Sequence, residues 1–113
     1  MRISGWTFLK TMGAVLAALA LCGSPVRAQG AGENLYKTKC AVCHGLDGKG
    51  ETPMGKAAKL MDLGSADVQK QTDADLTAII VNGKKTMPGF GKSLKAEQLK
   101  ELVAYIRGFA KKH

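Results

Sequence analysis

Aromatic side chains are scarce in this 113-residue sequence, which has three Phe, two Tyr and one Trp. Trp6 and Phe8 both lie in the first 28 residues, so the remainder has only Tyr36, Phe90, Tyr105 and Phe109 to build a core. A core on four aromatics leaves room for a large apolar insert, and small domains often need one to be stable. Few aromatics also means few platforms on which bases could stack, which argues against nucleic acid as a partner. There is no apolar run of the roughly twenty residues that a spanning helix requires. No alternating apolar stretch is long enough to argue for a strand. Internal repeats, low-complexity linkers and a second domain boundary are missing too, so one small domain is the expectation.

The N-terminus does carry a shorter apolar segment. Arg2 and Lys10 precede the uncharged run Met12 to Cys22, followed by Pro25-Val26-Arg27-Ala28 with small or modest residues at Val26 and Ala28. This pattern reads as a secretory signal peptide, residues 1–28, cut after Ala28, with a domain over 29–113. A membrane anchor is the competing reading, but only sixteen uncharged residues separate Lys10 from Arg27, Pro25 among them. Leu19-Ala20-Leu21-Cys22 is a distorted lipoprotein box, with Leu21 where a small residue is wanted. Cleavage would leave 85 residues and, without Arg2, Lys10 and Arg27, 14 basic against 9 acidic side chains. The exported chain would be soluble, basic and without stable membrane insertion.

From Gly30 onward the pattern is all-α, with three main helices and a short one. Glu33 to about Val42 forms the first helix, and Gly45, Gly48 and Gly50 then force a loop. Met54 to Leu60 has good helix formers without a sharp start, and Ser65 would cap a short turn over Ala66 to Lys70. Thr72-Asp73-Ala74-Asp75 resembles a capping box ahead of Leu76, Ile79 and Ile80, and Gly83 ends that helix. The last helix, about Ala96 to Phe109, places Leu99, Leu102, Val103, Ile106 and Phe109 on one stripe with Lys95, Lys100 and Arg107 off it.

Once Cys22 leaves with the signal, only Cys40 and Cys43 remain, in Cys40-Ala41-Val42-Cys43-His44. That C-x-x-C-H spacing is the pattern of covalent haem attachment: two thiols add across the haem vinyl groups and the adjoining imidazole ligates iron. A zinc half-site is one competitor, but beyond these three residues the mature chain offers only the terminal His113 as a soft or imidazole donor, short of a good tetrahedral set. A thioredoxin-like pair is another, but it opens a helix after a strand, and none precedes Cys40. The second axial ligand would come from Met54, Met61, Met87 or His113. Met87 is the best placed, in the loop Asn82 to Gly91 beside Pro88, which fixes the backbone. A methionine there would otherwise serve as core filler.

The sequence resembles the class I single-haem c-type cytochromes, particularly the short bacterial type of periplasmic electron transfer. The resemblance covers residues 32–109 and rests on Gly32 and Tyr36 before C-x-x-C-H, the Gly-rich loop after it, Gly83-x-x-x-Met87-Pro88-x-Phe90, and Leu102-Val103-x-Tyr105-Ile106. It implies a cytochrome c-like fold around one covalent haem c per chain, with Cys40 and Cys43 as attachment residues and His44 and Met87 as axial ligands. It also implies that Gly32 and Tyr36 cross the last helix near Tyr105. Where the family often has Pro-x-Leu, whose proline carbonyl accepts from the ligating histidine, this chain has Met61-Asp62-Leu63. The carbonyl of Met61 or that of Pro53 would then serve. Lys95 stands where the family usually caps the last helix with Ser or Thr.

The implied role is that of a periplasmic, monomeric one-electron carrier between redox proteins, not an enzyme. Lys56, Lys59, Lys84, Lys85 and Lys92 would steer docking to acidic donor and acceptor faces; a generic solvated basic surface is the alternative. Two other readings stand beside the carrier: a haem subunit of a periplasmic dehydrogenase or oxidase, and a haem enzyme or gas sensor with an open iron.

Overall fold

The computed structural model describes residues 25–112, so the leader segment before Pro25, with Trp6 and Cys22, and the terminal His113 lie outside the described residues. Six α-helices follow in order: α1 Pro25–Lys39, α2 Ala41–His44, α3 Pro53–Ala57, α4 Ala66–Gln69, α5 Asp73–Asn82 and α6 Ala96–Arg107, with a terminal 3-10 turn Gly108–Lys112. Among the described residues the only β pairing is an isolated bridge between Lys84 and Met87. The all-α fold is therefore as the sequence implies. Its three long helices are α1, α5 and α6, but three short helices stand where one was expected.

Local chemistry accounts for most boundaries. Thr72 Oγ1 accepts from the Asp75 amide at 3.0 Å and opens α5, and Ser65 does the same for α4 through Val68. Helix α3 starts at Thr52-Pro53, where the threonine caps and the proline supplies a pre-set φ at the first helical position. Lys95 gives α6 no side-chain cap; instead Gln98 Oε1 accepts from the Lys95 amide at 2.8 Å. Helix α1 begins at Pro25, eight residues before Glu33, so the expected cleavage after Ala28 would remove its first turn. It ends at Lys39, because Cys40, at φ −114°, separates it from the single turn of α2.

The core joins the two ends of the described chain. Gly32 lies on α1 against α6, where a Cβ would overlap the Glu101 carbonyl oxygen and stand 3.3 Å from Tyr105 Cβ. Only glycine lets the two backbones approach so closely. One turn later Tyr36 is fully buried and meets Tyr105 and Phe109, with ring centroids 5.1 to 5.3 Å apart in all three pairs. Such tilted and edge-on pairs add about 0.5–1.5 kcal/mol each beyond their buried area. Leu102, Val103 and Ile106 complete the buried stripe of α6, and Leu99 packs partly against it.

Arg107 is not the solvated side chain that its place off the stripe implied. Its guanidinium donates to Asp73 Oδ1 at 2.9 Å and to the carbonyls of Gln69 and Gln71, while Gln69 Nε2 donates to the Ile106 carbonyl at 3.1 Å. The end of α6 is thereby fastened to the junction between α4 and α5, which forms one wall of the cleft described next.

Candidate haem site

The segments between and within these helices leave an open cleft of about 200 Å³. Its walls are apolar: Val68 from α4, Leu76, Ile79 and Ile80 from α5, Leu63 from the segment before α4 and Ile106 from α6. Cys40, His44 and Met87 line the same cleft. Residues singled out from two separate sequence motifs are thus brought to one place.

Cys40 sits between α1 and α2 and is 8% exposed, while Cys43 is half-buried outside the cleft lining; neither is in a disulfide. Burial pushes the Cys40 thiol up to about 11, so it rests protonated at neutral pH. His44 is half-buried, and burial lowers its pKa from the usual imidazole value, favouring the neutral ring that a metal requires. Its Nδ1 is buried without a protein partner. Neither the Met61 nor the Pro53 carbonyl, the two acceptors offered by the sequence, makes that bond.

The methionine candidates separate by position. Met54 is 57% exposed and does not line the cleft. Met61 lines it but is 53% exposed, whereas Met87 lines it, is half-buried and packs against the core. The loop carrying Met87 is sewn to α5: the amides of Phe90 and Gly91 donate to the carbonyls of Ile80 and Val81, and Lys84 and Met87 exchange backbone hydrogen bonds at 3.1 and 2.9 Å.

Of the five lysines, Lys59, Lys84 and Lys85 line the cleft and Lys56 and Lys92 do not. Lys59 and Lys85 are the two non-glycine residues with left-handed backbone among the described residues, at φ 54° and 55°. Two further polar groups were not foreseen from the sequence. The Thr52 hydroxyl donates to the Cys43 carbonyl at 2.6 Å, and the Tyr36 hydroxyl donates to the Gly45 carbonyl at 2.6 Å. Met54 to Leu60 has no sharp start in the sequence, so the cap at Thr52 and its reach to Cys43 both depend on the fold.

The cleft fits a large flat apolar cofactor: its walls are aliphatic, and the Cys40 thiol, the His44 imidazole and the Met87 thioether line it. Among the described residues no group of three or more His, Cys, Asp or Glu side chains is gathered to hold a bare metal ion. Fold and cleft together define a helical haem-binding domain of the covalent type.

Comparison with known proteins agrees. Residues 27–106 match the family model described as cytochrome C oxidase, cbb3-type, subunit III. The chain is 34% identical over 112 residues to cytochrome c6 of Gloeothece citriformis (strain PCC 7424), covering 91% of this chain and 96% of that one. It is 40% identical over 79 residues to cytochrome c6 of Rippkaea orientalis (strain PCC 8801 / RF-1), covering 67% of this chain and 66% of the relative, just under two thirds of its length. Among solved structures, the KustC0563 c-type cytochrome superimposes with a TM-score of 0.64 at 34% identity, over 69% of this chain and 95% of that one. The chain belongs to the class I single-haem c-type cytochromes. It is a single-haem electron carrier with covalently bound haem c.

Proposed function

We propose that the protein is a periplasmic carrier in which Cys40 and Cys43 form the thioether links and His44 and Met87 are the axial ligands. The observation that supports this reading is the convergence of Cys40, His44 and Met87 on one apolar cleft. When bound, the haem iron takes up and returns one electron. The chain's own part is to hold the ligands, exclude water with Val68, Leu76 and Ile80, and present a charged rim. With both axial positions filled there is no open site for a substrate, so the protein is not an enzyme. Carbon monoxide tests this directly: the reduced protein at neutral pH should bind it negligibly. Rapid binding would instead identify an open-iron enzyme or sensor.

Export follows from the leader segment, residues 1–28, with cleavage after Ala28. Among the described residues no helix is long and apolar enough to cross a membrane. As a free monomer the protein would meet its donor and acceptor in turn. The match to an oxidase-subunit family supports a second reading, a fixed haem subunit of a larger complex. Copurification with such a complex from the native cell would establish it; a free monomer on sizing would exclude it.

The rim lysines supply docking to acidic redox partners. A left-handed lysine costs roughly 1–2 kcal/mol that glycine would avoid, and both such residues stand at the cleft. Retaining a charge there at that cost supports a docking role over a generic basic surface. Electron transfer with an acidic partner should slow as ionic strength rises, because exposed charges are screened beyond about 10 Å at 0.1 M salt. Lys84→Glu and Lys85→Glu should slow it further. Stopped-flow rates that respond to neither change would leave these lysines as solvated surface only.

A further inference from the structure

Helix α2 is a single turn, so its last carbonyls have no donor within the helix. Three consecutive ones find donors elsewhere. The Thr52 hydroxyl donates to the Cys43 carbonyl at 2.6 Å, the Gly50 amide to the His44 carbonyl at 2.8 Å, and the Tyr36 hydroxyl to the Gly45 carbonyl at 2.6 Å, which also accepts from the Gly48 amide at 3.1 Å. The backbone is therefore pinned at His44 and on both sides of it, by the loop, by the start of α3 and by α1.

Thr52 carries two of the bonds in this arrangement. Its Oγ1 also accepts from the Gly55 amide at 2.9 Å, which caps α3. The helix so formed lies against the same turn, since a Cβ on Gly55 would overlap the carbonyl oxygens of Cys43 and Gly50. Metal-bound histidines are usually oriented through the second ring nitrogen, by a carboxylate, carbonyl or water. Here His44 Nδ1 has no protein partner. Among protein groups, the orientation of the ring then rests on its backbone.

We propose that Thr52 and Tyr36 are positioning residues for His44, fixing the imidazole plane through the carbonyls that flank it. The inference rests on the reading of His44 as an axial ligand. A supporting hydrogen bond matters because a ligand set must be held within a few tenths of an ångström, and a turn with orphaned carbonyls is free to rock.

The test uses the full haem-loaded protein and reads the ferric proton NMR spectrum, in which the haem methyl shifts follow the plane of the axial imidazole, together with the reduction potential. Thr52→Val and Tyr36→Phe should each move the methyl shifts and the potential, and the double variant should move them more. Thr52→Ser, which keeps donor and cap, should restore the wild-type spectrum. Thr72→Val removes the same kind of cap from α5 and should lower Tm alone. Wild-type methyl shifts in both Thr52→Val and Tyr36→Phe, with only Tm reduced, would overturn the proposal. Tyr36→Phe keeps the ring in the aromatic cluster, so its spectrum alone decides between the two outcomes if Thr52→Val does not accumulate. A wild-type ferric spectrum without imidazole ligation would overturn the His44 reading instead, so the two failures are distinct.

Discussion

Replacing both Cys40 and Cys43 with Ala should abolish haem retention through denaturing electrophoresis when the protein is exported with haem maturation machinery. No other thiol lies among residues 29–113, so nothing else in that span can form the covalent link. The effect should reach the fold as well. Val68, Leu76, Ile80 and Ile106 are buried residues that also line the cleft, and they would face it without an attached group to cover them. An apolar cofactor packed on these walls stabilises the fold by about 25 cal/mol per Å² of apolar surface it covers, which weighs against the 5–15 kcal/mol total of a typical small domain. The double variant should therefore lose cooperative thermal unfolding by circular dichroism. Covalent haem that survives in it would end the attachment proposal.

The second large effect is expected at Met87. A thioether ligand favours ferrous iron over ferric and raises the potential relative to two imidazoles. Met87→Ala should lose the weak near-infrared charge-transfer band of ferric sulfur ligation, lower the potential and admit carbon monoxide to the reduced protein. Met54→Ala, at a residue outside the cleft, and Met61→Ala, at its exposed margin, are the controls and should leave the band intact. A band that persists in Met87→Ala and vanishes in Met61→Ala would transfer the ligand role to Met61. A wild-type ferric spectrum that lacks the band altogether would point to a nitrogen ligand, His113 or a lysine, in place of a methionine.

What could be read in the sequence was whatever depends on near neighbours. The stripe Leu102, Val103, Ile106 and Phe109 repeats every three or four residues, and burial of one helix face follows from that period alone. Thr72 and Ser65 cap the helices that their sequence positions announce. Gly32 and Tyr36 meet Tyr105 across 69 or more residues of chain, a contact that the family resemblance implied and local pattern did not. Arg107 shows the opposite case. Its partners at Gln69, Gln71 and Asp73 lie 34 to 38 residues away, and no period in the sequence signals them.

The start of α1 was missed for a different reason. Pro25-Val26-Arg27-Ala28 satisfies a cleavage pattern and a helix start at once, and the two readings use the same residues for different ends. The acceptor for His44 was sought at Met61 or Pro53 because a proline carbonyl is usual in the family. The turn is held instead by hydroxyls on its carbonyls, which depend on where α3 and α1 come to lie.

The contact between α1 and α6 also sets an order of events. Gly32 and Tyr36 are made about seventy residues before Tyr105 and Phe109, so the aromatic cluster cannot close until α6 and the turn after it exist. Contacts between distant residues bear the full cost of loop closure before they return any stability. The Cys40 to His44 turn, by contrast, would emerge from export some sixty residues before Tyr105 and Phe109. On the proposed attachment, its thiols would be reachable on an open chain during that interval, and the burial of Cys40 would come afterwards. Closing the fold from its two ends would thus let attachment precede folding.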